Sequence, residues 1–327
     1  MYNVHGKGDF MKKTVKAAIG AAAAFAGIGV TMNTLILTRA SLKMKELFNY
    51  NTPKPEEEKT EIEKQIERVM AEGDAWLEKQ VYDHVAIDDR NGDTIHGYLV
   101  KNAEPGNKWV ICIHGFTKSP KNMGEYALHY QEKGYNILLP ALRGHDISEE
   151  RYISMGWLDR FDIISWINYI LSIDKDAQIV LHGVSMGGAT VMMTTGENLP
   201  ENVKCCIADC GYTSVWDEFS NEIKQKYHLP VFPFLYATDA ATKVLCGYGF
   251  KEASSVEQVK KSKTPTLFVH GEEDTFVPYR MLDVNFNAAA CEKEKLSVPD
   301  AEHADSVRVH PEIYWPAVWN FTGKYIK

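Results

Sequence analysis

The sequence lacks the signatures of several large protein classes. It has no phosphate loop, no dinucleotide fingerprint, no basic stripe and no internal repeat, so nucleotide-binding and repeat architectures are not indicated. Its six cysteines form no C-x-x-C pair, and Cys206 and Cys210 lack the matching histidines of a zinc site. Cys112 and Cys205 lie in apolar, strand-like runs, where buried free thiols are expected rather than disulfides. The sequence therefore predicts neither a metal nor a cofactor.

Positive charge is scarce outside the N-terminus. Residues 1–50 hold seven Lys and Arg against two Asp and Glu, whereas the remainder holds 29 basic and 42 acidic residues, a net charge of −13. An acidic body argues against nucleic acid as a partner. With 327 residues, 45% of them hydrophobic, the chain is long enough for one large α/β domain and an appendage.

One uncharged run of 21 residues covers positions 17–37. As a helix it would span about 31 Å, close to the thickness of a bilayer core. Lysines at positions 12, 13 and 16 precede it and favour a cytoplasmic N-terminus. The alternative is a cleaved signal peptide of a secreted protein, because Ala24-Phe25-Ala26 fits a small-x-small cleavage site. We expect an uncleaved, single-pass anchor with an extracytoplasmic body, since cleavage there would leave residues 27–37 as an exposed apolar tail.

The chain divides into three predicted segments. Residues 1–50 are the anchor and a juxtamembrane segment, residues 51–80 are a linker and an amphipathic helix, and residues 81–327 are the main domain. The helix, expected from about 58 to 79, has apolar residues near helical spacing at Ile62, Ile66, Val69, Met70 and Leu77. This pattern fits either a helix folded against the body or a solvated stalk.

The main domain shows eight apolar runs typical of strands. They cover residues 81–87, 95–100, 109–113, 136–139, 179–181, 203–208, 266–270 and 296–298. Asn91-Gly92 marks a hairpin turn between the first two. Helices are predicted near residues 123–133, 159–171, 186–195, 279–290 and 313–325. Because helices alternate with strands after the hairpin, we predict an α/β fold with a mainly parallel sheet.

The most informative pattern is Gly183-Val184-Ser185-Met186-Gly187, between a strand-like and a helix-like run. This context fits a nucleophile elbow, in which serine occupies a strained strand-to-helix turn and the glycines avoid collisions with neighbouring backbone. The five residues alone also fit an ordinary glycine-rich turn. The interpretation therefore depends on partners farther along the chain.

Asp274 and His303 are the predicted partners, and each follows an apolar strand-like run. Serine needs a histidine to take its proton, and the histidine needs a carboxylate to fix its tautomer and stabilise the imidazolium. The order Ser185, Asp274, His303 is the order of α/β-hydrolases. Asp209, at the end of an earlier strand run, is the alternative acid, whereas Asp305 is too near His303 in sequence to orient it.

A tetrahedral intermediate also needs hydrogen-bond donors for its oxyanion. The run 109–113 ends in His114-Gly115-Phe116-Thr117, and we predict the Phe116 N–H as one donor. The Met186 N–H, directly after the serine, is the other. Such donors typically contribute about 3 kcal/mol or more each. His114 and His182 flank this region and are expected to support the site or to belong to the core.

From about residue 81 to its end, the chain resembles bacterial α/β-hydrolases of the serine esterase type. The likeness is to the membrane-anchored, bem46-like group of Firmicutes and, more distantly, to prolyl oligopeptidase-type hydrolase domains. The motifs that carry it are His114-Gly115-Phe116, Leu142-Arg143-Gly144-His145, residues 155–160, 183–187, 208–214 and 270–274, and Ala301-Glu302-His303. The resemblance implies an eight-stranded α/β-hydrolase fold with flanking helices and a small cap. Asp146 stands where related chains have glycine, and aspartate tolerates left-handed backbone better than most residues.

Residues 211–255 are too long for a simple crossover and are rich in aromatic side chains, so we predict a cap insertion there. Trp157, Trp216 and Phe232 are candidate walls of a substrate pocket. The alternative for most of these aromatic residues is packing of the cap onto the core.

Together these features predict a serine hydrolase that cleaves carboxylic esters of small or medium acyl groups, with a small-molecule ester and, through the N-terminus, a membrane as partners. A thioesterase or a peptidase with the same triad is the alternative within enzymes. A non-catalytic, membrane-tethered binding protein on a hydrolase fold is the alternative of another class, and the intact triad argues against it.

Overall fold

The computed structural model describes residues 59–327. The predicted anchor at residues 17–37 and the linker before residue 59 lie outside the described residues. Within residues 59–327, no helix is both long enough and apolar enough to cross a bilayer.

An eight-stranded sheet lies at the centre of the described chain, in the order β1-β2-β4-β3-β5-β6-β7-β8. The strands are β1 (Asp83–Asp88), β2 (Thr94–Val100), β3 (Lys108–Ile113), β4 (Asn136–Pro140), β5 (Gln178–Val184), β6 (Val203–Asp209), β7 (Thr266–Gly271) and β8 (Lys293–Val298). Strand β2 pairs antiparallel with β1 and β4, whereas every pairing from β4 to β8 is parallel. The predicted mainly parallel α/β fold is confirmed.

The helices of the described chain are α1 (Glu61–Lys79), α2 (Gly124–Glu132), α3 (Asp159–Ile173), α4 (Met186–Thr195), α5 (Val215–Gln225), α6 (Val231–Cys246), α7 (Ser255–Val259), α8 (Arg280–Ala288), α9 (Ser306–Val309) and α10 (Pro311–Thr322). Strands β3, β4, β5 and β7 are buried over nearly their whole length. Continuous apolar strands of this kind are expected where helices cover both faces of a parallel sheet.

Helix α1 begins with a capping box. The Thr60 Oγ1 accepts a hydrogen bond from the Glu63 N–H, and the Glu63 carboxylate accepts one from the Thr60 N–H. One face of the helix is buried at Val69, Gly73 and Trp76. Helix α1 is therefore folded against the body and is not a solvated stalk.

Two glycines allow α1 and α2 to approach closely. A Cβ atom at Gly73 would lie 2.5 Å from the Glu125 backbone nitrogen, and one at Gly124 would lie 2.7 Å from the Gly73 carbonyl oxygen. Beside this contact, the Trp76 Nε1–H donates to the Gln131 Oε1 at 2.7 Å. The closeness of the two backbones leaves no room for a side chain at either glycine.

Within the described chain, Phe219–Phe250 forms a compact unit of its own, and the rest belongs to a second unit. Inside the smaller unit, the Phe219 and Phe250 rings meet edge to face with centroids 5.0 Å apart. The Phe250 N–H donates to the Asp239 Oδ1 at 2.6 Å. This unit falls inside the 211–255 segment in which a cap is predicted, and its role as a cap stays a prediction.

Candidate active site

Ser185 lies at the turn from β5 to α4, with φ 59° and ψ −119°. A non-glycine residue in this conformation stores strain of order 1–3 kcal/mol. A Cβ atom at Gly183 would lie 2.1 Å from the Gly187 carbonyl oxygen, and one at Gly187 would lie 2.0 Å from the Ile113 carbonyl oxygen. The Ser185 N–H donates to the Asp209 carbonyl oxygen at 2.9 Å. Neighbouring strands thus hold the turn in place and leave only glycine at its flanks.

The structure brings the three predicted triad residues together. The Ser185 Oγ–H donates to the His303 Nε2 at 2.8 Å, and the His303 Nδ1 lies 2.7 Å from the Asp274 Oδ2. An ionised carboxylate only accepts hydrogen bonds, so the proton is on Nδ1 and the Nε2 lone pair faces the serine. The His303 side chain is 19% exposed, whereas that of Asp274 is fully buried. This arrangement can deprotonate the serine hydroxyl.

Asp274 also contacts a second histidine, His270, which belongs to one of the sequence motifs but was given no role there. The His270 Nε2 lies 3.1 Å from the Asp274 Oδ2 and 2.9 Å from the Val277 carbonyl oxygen, so this nitrogen carries a proton. The Asp274 Oδ1 accepts from the Phe276 and Val277 N–H groups, each at 3.0 Å. Burial raises the pKa of Asp274, but hydrogen bonds from His270 and His303 outweigh it and hold the pKa below its ordinary value. The carboxylate therefore stays ionised.

Asp209, the alternative acid, belongs to a different buried chain of hydrogen bonds. Its Oδ2 accepts from the Tyr314 hydroxyl at 2.9 Å, and the Tyr314 oxygen lies 2.9 Å from the His182 Nε2. The His182 Nδ1 in turn lies 3.0 Å from the Tyr130 hydroxyl. Burial raises the pKa of Asp209 to about 6, against the opposing effect of the Tyr314 hydrogen bond. Within residues 59–327, Asp209 makes no hydrogen bond with His303.

The two predicted oxyanion donors belong to backbone segments next to Ser185. A Cβ atom at Gly115 would lie 3.3 Å from the Ser185 Cβ, so the loop that carries Phe116 passes directly over the nucleophile. The Lys118 N–H donates to the Gly115 carbonyl oxygen and closes a turn around Phe116. Met186 is the first residue of α4, so its N–H is one of the donors that a helix N-terminus leaves without an internal partner.

Two neutral histidines hold this loop in place. The Nδ1 atoms of His114 and His145 each lie within 2.9 Å of a backbone carbonyl oxygen and therefore carry the proton. Their Nε2 atoms are then acceptors: that of His145 accepts from the Thr117 N–H at 3.0 Å, and that of His114 from the Leu142 N–H at 3.1 Å. Burial lowers the pKa of His114 to about 3 and also lowers the pKa of His145. Both rings therefore remain neutral acceptors near neutral pH.

An ion pair fixes the segment after His303 to helix α2. The Arg308 guanidinium donates to both Glu125 carboxylate oxygens at 2.8 and 2.6 Å, and to the Asp305 Oδ1 at 2.8 Å. Two parallel hydrogen bonds of this kind set orientation as well as distance. The Glu125 backbone also lies against Gly73 of helix α1. Glu125 and Arg308 therefore connect α1 to the segment that follows His303.

The three candidate pocket residues make their contacts with residues outside the triad. The Arg160 guanidinium carbon lies 3.5 Å from the centre of the Trp157 ring, and the Lys251 Nζ lies 4.3 Å from that of Trp216. Phe232 belongs to the smaller unit, where its ring contacts Tyr236. None of these contacts involves Ser185 or His303, so a role in the pocket stays a prediction for all three.

Phe276 is an aromatic residue that does contact the triad, and sequence reasoning missed it. Its ring centroid lies 4.8 Å from that of His303, and its N–H donates to Asp274. Its position two residues after the candidate acid, in the same loop, is the signal that could have identified it. Phe276 therefore shields one side of the histidine.

Cys210, Asp274 and His303 offer possible ligand atoms that all lie within 4.8 Å of one another. Burial raises the pKa of the Cys210 thiol well above its ordinary value, so the sulfur stays protonated and is a poor metal ligand. The other two residues are hydrogen-bonded to each other. The chemistry of this group fits proton transfer better than metal binding.

Comparison with known proteins supports the same fold. Residues 108–229 match a family model described as the alpha/beta hydrolase fold. The chain is 27% identical to the uncharacterized protein YqkD of Bacillus subtilis, over 70% of this chain and 75% of that protein. It is 23% identical to protein bem46 of Schizosaccharomyces pombe, over 69% and 72%.

Two further similarities concern proteins with named activities. A thermostable monoacylglycerol lipase from a Bacillus species is 31% identical over 30% of this chain and 39% of the lipase. Among solved structures, the Pyrococcus furiosus esterase Pf2001 matches with a TM-score of 0.59 and 21% identity, over 77% of this chain and 95% of the esterase. At that identity the structural match supports the fold alone.

Proposed function

We propose that this chain, which has the α/β-hydrolase fold and is similar to YqkD and bem46, is a serine hydrolase of carboxylic esters. The observation that carries the proposal is the chain of two hydrogen bonds from Ser185 through His303 to Asp274, built on a strained turn. The proposed substrates carry small or medium acyl groups. The short stretch of similarity to a monoacylglycerol lipase supports an ester as the bond that is cleaved.

In the proposed reaction, the Ser185 Oγ attacks the acyl carbon while the His303 Nε2 takes the hydroxyl proton. Asp274 stabilises the imidazolium, and the N–H groups of Phe116 and Met186 receive the oxyanion. His303 then gives its proton to the departing alcohol, leaving an acyl group on Ser185. A water molecule transfers a proton to His303 and attacks this acyl-enzyme, which releases the acid and restores the serine.

A fluorophosphonate probe tests the activated serine. We expect one adduct per chain by intact mass, located at Ser185 by peptide mapping. Ser185→Ala should abolish labelling and lower kcat for a p-nitrophenyl ester by about 10⁶ while leaving the fold intact. Full activity in the alanine variant would refute the assignment, and a folded wild type without any labelling would favour the binding-protein alternative.

The leaving group needs a separate test, because the same triad also serves thioesterases and peptidases. We expect kcat/KM to be highest for an oxygen ester when an ester, a thioester and an anilide of one acyl group are compared. A preference for the thioester or the anilide would replace the ester assignment but keep the triad.

We also propose that residues 17–37 anchor the chain in a membrane and leave the body extracytoplasmic. The length of the uncharged run and the lysines that precede it support this placement. We expect the protein to remain in the membrane fraction after a high-salt wash and to keep its N-terminus. Release of a shortened chain would support the cleaved signal peptide instead.

A further inference from the structure

Helix α6 exposes an apolar side. Of its 16 residues, only Asp239 and Lys243 are charged. Tyr236, Ala240 and Val244 recur at four-residue spacing and are exposed, Tyr236 to 48% and Val244 to 84%. Surface helices of soluble domains normally have charged and polar residues on this side, so the exposed apolar stripe requires an explanation.

An aromatic residue extends this stripe at the start of the helix. The Phe232 side chain is 69% exposed, and its ring meets that of Tyr236 with centroids 5.7 Å apart. The opposite side of α6 is also mostly apolar, with buried residues Leu235, Ala237, Thr238, Ala241 and Thr242. The helix therefore has apolar residues on both sides, of which one is buried and the other exposed.

The exposed charges of the same unit all have one sign. They are Lys224, Lys226 and Lys243, whereas the two carboxylates, Glu222 and Asp239, are half-buried. Phe219–Phe250 has a net charge of +1, and the other residues of 59–327 together have a net charge of −12. Of the two units of the described chain, the apolar stripe thus lies in the one that is not acidic.

We propose that α6 docks on the surface of a lipid bilayer that contains anionic lipid. Phe232, Tyr236 and Val244 enter the boundary between headgroups and acyl chains, where aromatic and aliphatic side chains of amphipathic helices are stabilised. The lysines face the anionic headgroups. A second copy of the chain fits this surface less well, because a two-fold contact through α6 would bring the lysines of both copies together.

The length of the N-terminal segment is compatible with this docking. Residues 38–58 separate the predicted anchor from the first described residue, and 21 residues reach about 70 Å when extended. A tether of this kind gives a weak contact a high effective concentration at the membrane, so a small apolar surface is sufficient. The docking rests on the proposed anchor at residues 17–37 and does not depend on the proposed hydrolysis.

A fluorescent label on α6 tests the proposal in the full chain, incorporated into lipid nanodiscs of phosphatidylcholine and phosphatidylglycerol. Val244→Cys carries an environment-sensitive nitrobenzoxadiazole group after Cys246→Ser and Cys291→Ser remove the two half-buried thiols. We expect a blue shift of the emission and a loss of intensity when the lipids carry a nitroxide quencher. The matched control is Val81→Cys, an exposed valine of the acidic unit, whose label should keep the emission of an aqueous environment.

The lysines provide the second test. Replacing Lys224, Lys226 and Lys243 by glutamine should lower the ratio of docked to undocked α6 about fivefold for each lysine in discs with anionic lipid. Equal quenching in discs of phosphatidylcholine alone would contradict the role of anionic lipid. A blue shift without quenching would show that protein covers α6, and a water-like emission at position 244 would show that nothing does. Either result overturns the proposal, as does a full chain that does not enter the discs.

Discussion

Asp274 and Asp209 are both buried carboxylates near the nucleophile, but their surroundings shift the two pKa values in opposite directions. Asp274 receives hydrogen bonds from two histidines and two backbone N–H groups, which hold its pKa below the ordinary value. The Asp209 Oδ1 has no hydrogen-bond partner in the described chain, and burial raises the pKa of Asp209 to about 6. Asp274, which is hydrogen-bonded to the His303 Nδ1, is therefore the carboxylate placed to stabilise an imidazolium.

This contrast predicts the ranking of two isosteric variants. Asp274→Asn should lower kcat about 10⁴-fold, because an amide can turn its NH₂ toward His303 and favour the wrong tautomer. Asp209→Asn should keep most of the activity, since the asparagine oxygen can still accept from Tyr314. Steady-state kinetics with one p-nitrophenyl ester compares the two variants. The reverse ranking would make Asp209 the acid.

His145 contacts the oxyanion loop in two ways: its Nε2 accepts from the Thr117 N–H, and its ring centroid lies 6.1 Å from that of Phe116. A phenylalanine at this position would keep a ring but remove the acceptor. His145→Phe should therefore lower kcat with little change in KM, by up to the 10²–10³ that loss of an oxyanion donor costs. His145→Gln should recover much of the activity, because its side-chain oxygen can accept the same hydrogen bond. Equal kcat values for the phenylalanine and glutamine variants would show that the acceptor has no role.

Some residues of the site could be predicted from the sequence, whereas the contacts of others could not. Ser185, Asp274 and His303 were predictable, because each follows a strand-like run and their order is diagnostic. The contacts of His270 with Asp274 and of His145 with Thr117 were not. They depend on where two loops return to the sheet, and hydrophobic periodicity carries no information about that geometry. Asp146 does adopt the left-handed backbone, with φ 46°, that its place in the motif implied.

At the level of elements, the contact between α1 and α2 depends on the absence of a side chain at Gly73. Gly73→Val would place carbon atoms against the Glu125 backbone, and such overpacking typically costs about 1–3 kcal/mol. We expect a lower unfolding midpoint in urea and reduced activity, because Glu125 holds Arg308 and the segment after His303. Gly106→Val, near no tight contact, is the matched control. An unchanged midpoint for Gly73→Val would show that α1 detaches without consequence.

The sequence predicted every strand of the sheet, because the central strands are continuous apolar runs, and it predicted the longer helices that pack on the sheet. The short helices α7 and α9 were not predicted. Helices α5 and α6 were included in a cap but not assigned. In α6 apolar residues occupy both sides, so the periodicity that normally marks a helix is weak. The apolar residues on both sides of α6 thus made the helix hard to predict from the sequence, and they also give it an apolar exposed surface.

For the whole molecule, Asp209 makes stability depend on pH. Its pKa of about 6 lies above the ordinary value of 3.8, so the folded state binds the proton more tightly than the unfolded state. The contribution of Asp209 to stability is thus full below the ordinary pKa and is lost as pH rises through the folded pKa. Groups with lowered pKa values, such as Asp274 and Asp89, act in the opposite direction.

Asp209→Asn isolates this contribution. The free energy of unfolding of the variant, relative to wild type, should increase by up to roughly 3 kcal/mol between about pH 4 and pH 7. Urea unfolding of the detergent-solubilised full chain, followed by tryptophan fluorescence at several pH values, measures the difference. Parallel stability curves for the two proteins would contradict it.

The order of the site residues along the chain also determines when the site can first form. Ser185 leaves β5, whereas His303 comes 118 residues later, after the edge strand β8. At a synthesis rate of roughly 5–20 residues per second, the histidine follows the serine by about ten seconds. A nascent chain therefore displays a chemically ordinary serine, and the reactive centre arises only when the C-terminal segment is complete.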